Sequence, residues 1–559
     1  MPPSVPVTRF SLKKRKTIPS SSNITQQKAM KCHSRLYILA FILLPLLAGC
    51  RHERNSEVLS EKEASSPEKK EVITPLPDTI FPSVEALEYS ITLFDSLTDG
   101  QLSGLEDPYS NACGIFTFRG NHQRNADFHG TVKGRPDTVV VDWVFKTDFD
   151  KRVTAYGMWG GGTGWTGQPL YVEWPDNCME RFRKESPALT QHFDKQEIIV
   201  ASLDAHLYFI NFQTGDSSRR SFYVGNNIKG TPSLDPSLNG NLYVGQGIPC
   251  TQPFGALTFN LFTHQQTQMF GRDRHAWRQW QAYDSSPIRV GQFLFRLGEN
   301  GTVYKYLCTG DTLKLHSTLR YRAKGRGAAG IESSMAVYRN YGYFSDNHGN
   351  IVCINLNNLQ PVWHYFNHDD SDGTPVIEIE DGIPYLYTGC EIDKQQVGNG
   401  YLTKLNALNG EEVWSAAVEG CKTTYNGKHF DGGFYATPLL GQGNCKHLVF
   451  ANFVRNTPPM SGDFMAFNKQ TGEVVYHIPL RYYAWSSPVA FYNENDEMFI
   501  FTGDTTGYIY LIEGKTGKIL FKKWVGNNFE SSPVIIDNHV VVGSRGQEIY
   551  KFTVGGVES

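Results

Sequence analysis

The sequence predicts an all-β fold in which one small sheet is repeated around an axis. Three observations lead there. A Ser/Thr-Pro step, or a close variant, recurs eight times: Gln168-Pro169, Thr231-Pro232, Ser286-Pro287, Ser334-Met335, Thr374-Pro375, Thr437-Pro438, Ser487-Pro488 and Ser532-Pro533. Each step leads into strand-like residues, a Gly turn and an alternating apolar run such as Tyr508-Ile509-Tyr510-Leu511, whose period of two belongs to strands. The 559 residues also hold 53 Gly and 72 aromatics (34 Phe, 28 Tyr, 10 Trp) with only 19% charged residues, which excludes a disordered chain, a coiled coil and a collagen-like fibre.

The N-terminus carries an address. Residues 1–50 contain eight basic residues and no acid. Taking those eight from 53 leaves 45 basic against 56 acidic residues, a net charge near −11 for the remainder. Nucleic acid is a poor partner for such a body, because phosphate binding needs a basic footprint. From Leu36 the chain reads LYILAFILLPLLAGC behind Lys31 and Arg35. That apolar run is short for a membrane span, which needs roughly 20 residues, but normal for a secretory signal. Leu47-Ala48-Gly49-Cys50 resembles the lipobox of bacterial lipoproteins, which implies cleavage after residue 49 and lipidation of Cys50. Met30 offers an alternative start that gives a signal of ordinary length.

Residues 50–85 read as the lipidated Cys and a disordered tether, because RHERNSEVLSEKEASSPEKKE has almost nothing to bury. About 35 such residues span roughly 30–35 Å as a coil. Arg51 stands where an Asp would favour inner-membrane retention in enteric bacteria, so the resemblance implies lipid anchoring at the outer membrane of the cell envelope. Residues 86–138 form an N-terminal extension and lead-in segment, and 139–556 the repeat domain.

The eight steps lie about 40 to 63 residues apart, the length of a four-stranded propeller blade with room for insertions. The Gly-turn strands run from ASLDAHLYFIN through GENGTVYKYL, GNGYLTKLN and DTTGYIYLI to SRGQEIYKFT. A second turn follows at Asn211–Gly215, Asn406–Gly410, Asn468–Gly472 and Gly514–Gly517, then an aromatic at Trp414, Tyr476 and Phe521, suited to wedge between neighbouring sheets. The pattern resembles the PQQ-type β-propeller repeat family of quinoprotein dehydrogenases and non-catalytic propellers, over about residues 114–556. Phe116–Gly130 resembles the lead-in of such chains. The reading is an eight-bladed propeller, with seven blades as the alternative if region 250–285 is not a proper blade. The last repeat supplies three strands, and Val139–Phe145, with Trp143 at the aromatic position, is expected to complete it and so remove an open edge.

Chemistry in this sequence is sparse. The family resemblance would imply, for a dehydrogenase, a quinone in the channel, a calcium and an Asp base. The quinoprotein alcohol dehydrogenases of that family also place an adjacent Cys pair beside the cofactor, whereas no two cysteines are adjacent here, no haem-attachment motif occurs, and no set of acids matches the family site. No metal-binding spacing of Cys or His appears, so neither cofactor nor metal is expected. Eight cysteines remain beyond Cys32 and Cys50; Cys353 is expected to be a packed free thiol, and Cys421–Cys445 is the pairing proposed for export conditions. The glycine-rich stretch Tyr156–Gly167 lacks a phosphate-loop ending. It reads either as a tight loop into the first blade or as a binding loop presenting Trp159 and Trp165. Just before the repeated steps stand Asp284, Glu332, Asp372 and Glu530, with Tyr435 and Trp485 at comparable places. These residues are expected at one mouth of the channel, either accepting hydrogen bonds from neighbouring turns or forming a cation or polar-ligand site.

The implied function is a non-catalytic, membrane-anchored scaffold that binds envelope protein partners, chiefly through the irregular copies with insertions at 171–196 and 250–285. The closest functional analogy is the propeller lipoprotein of the outer-membrane β-barrel assembly machine, at fold level only. The alternative is a PQQ-dependent dehydrogenase or a propeller binding a small molecule or carbohydrate.

Overall fold

The structure, a computed structural model, describes residues 73–125, 129–165, 167–394 and 398–555; the signal segment and Cys50 lie outside the described residues. Antiparallel strands follow one another in four-stranded sets. The first set is Leu170–Glu173, Gln196–Ala201, His206–Asn211 and Phe222–Tyr223. The second is Ser233–Leu234, Asn241–Gly245, Ala256–Asn260 and Gln265–Phe270, so region 250–285 supplies two regular strands. The third is Ile288–Val290, Phe293–Gly298, Thr302–Thr309 and Thr312–Ala323. Later sets open on Ala336–Tyr338, Val376–Glu380, Leu439–Leu440, Val489–Tyr492 and Val534–Ile536. Gly432–Gly433 pairs with strands of both the fifth and sixth sets and joins them into one sheet. A single α-helix, Asp176–Glu185, occurs among the described residues, in the first insertion.

Two side-chain patterns explain why these sets form and where they go. An aromatic on the outer strand docks on the glycine turn of the following set. The Trp414 indole N–H donates to Lys469 O at 2.9 Å, and its ring lies where a Cβ on Gly472 would be, 2.7 Å away. Gly472 also has φ +73°, so the turn needs glycine for two independent reasons. Trp363 donates likewise to Ala407 O, Tyr476 to Gly514 O and Trp143 to Phe212 O.

The Ser/Thr-Pro steps are the second pattern. The backbone N–H of Ser286 donates to Ser334 Oγ, that of Ser334 to Thr374 Oγ1, and that of Thr437 to Ser487 Oγ, at 2.9 to 3.0 Å. The serine one residue earlier donates its hydroxyl forward: Ser285 to Ser333 O, Ser486 to Ser531 O, and Ser531 to Gly167 O. These steps thus latch one set to the next, and where the second residue is proline there is no N–H to leave unpaired at the strand start.

The last latch runs from the eighth set to the first, and the cores do the same. Val534, Val541 and Ile549 share one buried cluster with Ile198, Val200 and Ile210. Closure comes from the N-terminal side: strand Thr138–Lys146 pairs antiparallel with Glu548–Gly555, Phe145 opposite Ile549 and Val139 opposite Val554. This is the strand that the three-stranded last repeat requires.

The extension before it is more ordered than its composition foretold. Leu76 and Phe81 pack on the cluster containing Tyr341 and Trp363, and Leu76 N–H donates to Asn340 Oδ1. The folded body therefore begins within the stretch read as tether. Strand Leu87–Leu93 adds a fifth strand to the third set, pairing with Thr312–Ala323.

The lead-in segment runs across the first strands of the sets. Phe116 O accepts from Leu234 N–H, His122 O from Val337 N–H and Gln123 O from Ile377 N–H. Arg124, fully buried, donates to Met335 O, Thr117 Oγ1, Phe118 O and Ser286 O. Arg119 reaches Thr437 O and Pro488 O, and Thr131 N–H reaches Asp537 O. Residues 116–125 and 129–131 touch sets two through eight and act as an axial spindle. Burial pulls the Arg119 and Arg124 guanidiniums down to about 9 and about 10; backbone carbonyls take up their N–H groups.

The expected Cys421–Cys445 bond is corrected. Both thiols are free and buried in different cores, Cys421 among Val418, Phe434 and Phe453, Cys445 among Leu448, Met498 and Tyr510. Among the described residues the other six cysteines are also free, Cys353 being fully buried.

Candidate functional site at the channel mouth

The position two residues before the seven steps from Thr231 onward holds, in chain order, Lys229, Asp284, Glu332, Asp372, Tyr435, Trp485 and Glu530. The strand starts fix this offset, so equivalent residues gather at one end of the spindle. Sequence reading identified six of these and missed Lys229, although the same count back from Thr231 finds it.

The acids do not form one ring of like groups. Lys229 Nζ is ion-paired with Asp284 and lies 3.6 Å from Glu332 and 3.7 Å from Glu299. Burial works against this ammonium, but the three carboxylates outweigh it and hold Lys229 protonated well above its usual range. Burial, and then the repulsion of Glu332, raises Glu299 strongly.

Asp372 belongs to a second group with Asp370 and Glu391, their carboxylate oxygens lying within 4.8 Å of one another. Burial raises Asp370 to about 7, against the pull of Lys394. Burial and mutual repulsion raise Asp372 and Glu391 well above the carboxylate range. Glu530 stands apart, accepting from Asn528 and paired with Arg545 at 3.3 Å.

The tryptophans part company in the same way. Trp159 is half-buried beneath Arg545, whose guanidinium lies 5.3 Å from its ring. Trp165 is also half-buried and turned into the mouth, edge-on to Tyr435 at 6.5 Å and Trp485 at 6.4 Å. Its indole N–H donates to Tyr435 O. Both rings find partners on sets that are distant in sequence.

Between these groups lies a small cavity of about 20 Å³. Phe118 of the spindle forms part of its wall, with Trp165, Tyr435, Glu332, Asp372 and the hydroxyls of the latch residues. Such a space takes one water-sized or ammonium-sized group, far below the 300–1,000 Å³ typical of cofactor pockets. A tricyclic quinone is larger than this cavity, against which Phe118 packs with its N–H donating to Ser286 Oγ.

Comparison with known proteins agrees with the fold. The likeness to a europium-containing methanol dehydrogenase has a TM-score of 0.53 at 12% identity, covering 79% of this chain and 98% of that one. The quinohemoprotein alcohol dehydrogenase from Comamonas testosteroni gives 0.54 at 11% identity, over 80% and 81%. BamB from Moraxella catarrhalis aligns at 12% identity over 74% of this chain and 100% of that one, with a TM-score of 0.47. No curated protein matches the sequence. At such identities the likenesses establish a mostly β fold of the propeller kind and nothing of its chemistry. Residues 398–556 match the family described as outer membrane protein assembly factor BamB, and over that stretch the chain carries the BamB-like propeller repeat.

Proposed function

We propose that this chain is a lipid-anchored scaffold of the cell envelope: an eight-bladed propeller, each four-stranded set being one blade, that holds a protein partner on its rim. The observation that carries this reading is where the apolar surface lies. The axis is filled by the chain's own spindle, while hairpin Asp150–Thr154/Gly157–Gly160 leaves Val153 81%, Met158 49% and Tyr156 42% exposed. Val153 and Met158 stand opposite each other on the hairpin. Tyr156 reaches Trp280 of the second insertion at 4.8 Å, and Arg152 reaches the half-exposed Tyr223 of the first blade. Apolar and aromatic groups gathered on a rim are what a partner's surface takes up. The BamB-like repeat supports envelope proteins as the partner class and Cys50 as the anchor.

The test is capture from detergent extract with Val153→Asp/Met158→Asp beside the parent protein. We expect retained folding and a loss of partner affinity of thirtyfold or more, about 2 kcal/mol. Equal capture by both proteins would refute the hairpin as the partner surface.

A further inference from the structure

The two carboxylate groups at the mouth are built alike but filled differently. In one, Asp284, Glu299 and Glu332 surround the ammonium of Lys229. In the other, Asp370, Asp372 and Glu391 have no such centre. The nearest cation, Lys394, is 44% exposed, donates to Asn347 O and stays 3.6 Å from Asp370 Oδ2. Asp370 is 8% exposed, and its Oδ1 and Asp372 Oδ1 find no donor outside the acidic group, whose carboxyls hydrogen-bond among themselves. Buried carboxylate oxygens without donors are costly, and a ligand that donates to them is the usual remedy. Of this group Asp372 lines the cavity, together with Glu332, and the Asp370 and Glu391 carboxylates stand within 4.8 Å of that of Asp372. Its other walls are the rings of Trp165 and Tyr435 and hydroxyls such as Ser334 and Thr374. Carboxylates, hydroxyl oxygens and aromatic faces all attract a compact cation, and an aromatic wall favours an alkylammonium over a strongly hydrated metal ion.

We infer that the channel mouth is a binding site for a primary ammonium group, seated between Asp372 and the Trp165–Tyr435 rings in the role that Lys229 plays in the neighbouring group. The ammonium donates to Asp370, Asp372 and a latch hydroxyl, and its alkyl stem leaves past the rings. The same chemistry comes from a free small amine or from the lysine side chain of a polypeptide. The inference stands independently of the rim surface, since it uses none of the hairpin residues.

The full-length protein in detergent is titrated with methylammonium chloride, with Nα-acetyl-lysine methylamide and with calcium chloride at constant ionic strength. The Trp165 part of the fluorescence, defined by subtraction of Trp165→Phe, is followed. A saturable change with a millimolar dissociation constant is expected for methylammonium, near the ceiling for so small a ligand. It should weaken at least tenfold in both Asp370→Asn and Asp372→Asn, while hairpin variants keep it. Tighter binding of the lysine analogue assigns the site to a polypeptide side chain, and equal or weaker binding to a free amine. No saturable response to either amine, an unchanged response in both Asn variants, or a calcium response that excludes the amine would overturn the inference.

Discussion

Replacing Arg124 by Met tests whether the spindle holds the ring together. The substitution keeps most of the stem and removes the guanidinium, leaving Met335 O, Phe118 O, Ser286 O and Thr117 Oγ1 without the donor they now have. Each hydrogen bond to a charged group contributes about 1.5–3 kcal/mol, but deleting the charge also removes its desolvation cost. A net loss of about 4 kcal/mol follows, in line with buried charged networks that lose one partner. A folded body of roughly 480 residues has an unfolding entropy of about 1 kcal/mol/K, so Tm should fall by about 4 °C. Scanning calorimetry of the parent protein, Arg124→Met and the surface control Arg183→Met measures it. The control lies on the exposed face of the helix Asp176–Glu185 and should move Tm by less than about 1 °C. If Arg124→Met also stays within about 1 °C, the lead-in segment is an ornament on a self-sufficient ring and the spindle argument fails.

Two further outcomes follow from other sites. Asp370 titrates at 3.8 as an ordinary carboxylate and at about 7 in the folded chain, so the native state holds a proton that the unfolded state releases. Stability from this group is complete below about pH 4 and falls by up to about 4 kcal/mol as pH rises through 7; Asp370→Asn should flatten that part of a denaturant-midpoint-against-pH profile, and an unchanged slope would remove the group from the account. Cys50→Ala should abolish incorporation of labelled fatty acid and release the protein from the membrane fraction, because acyl chains contribute about 0.8 kcal/mol per buried CH₂; continued labelling would dismiss the lipobox reading.

Much of the architecture is local and so legible in the sequence. The Ser/Thr-Pro steps, the Gly turns and the following aromatics act within one repeat or between adjacent ones, so spacing alone located the strands and the need for Val139–Phe145 beside the last set. A fixed offset from a repeated strand start is a coordinate, and Lys229 was open to the same count. What the sequence could not state is which of these equivalent residues meet. Lys229 lies among one carboxylate group and leaves its neighbour without a buried cation, Glu530 turns to Arg545, and Trp165 faces Tyr435 and Trp485 on sets some 270 and 320 residues along the chain. The same is true of Cys421 and Cys445, which share a plausible spacing and lie in separate cores. The spindle shows the limit most clearly. Phe116–Asn125 has no strand period and no repeat, and its hydrogen-bond partners are scattered over sets two through seven. Local propensity and periodicity determine elements; the filling of an axis depends on closing the ring, and only the closed tertiary structure brings those partners within reach of one segment.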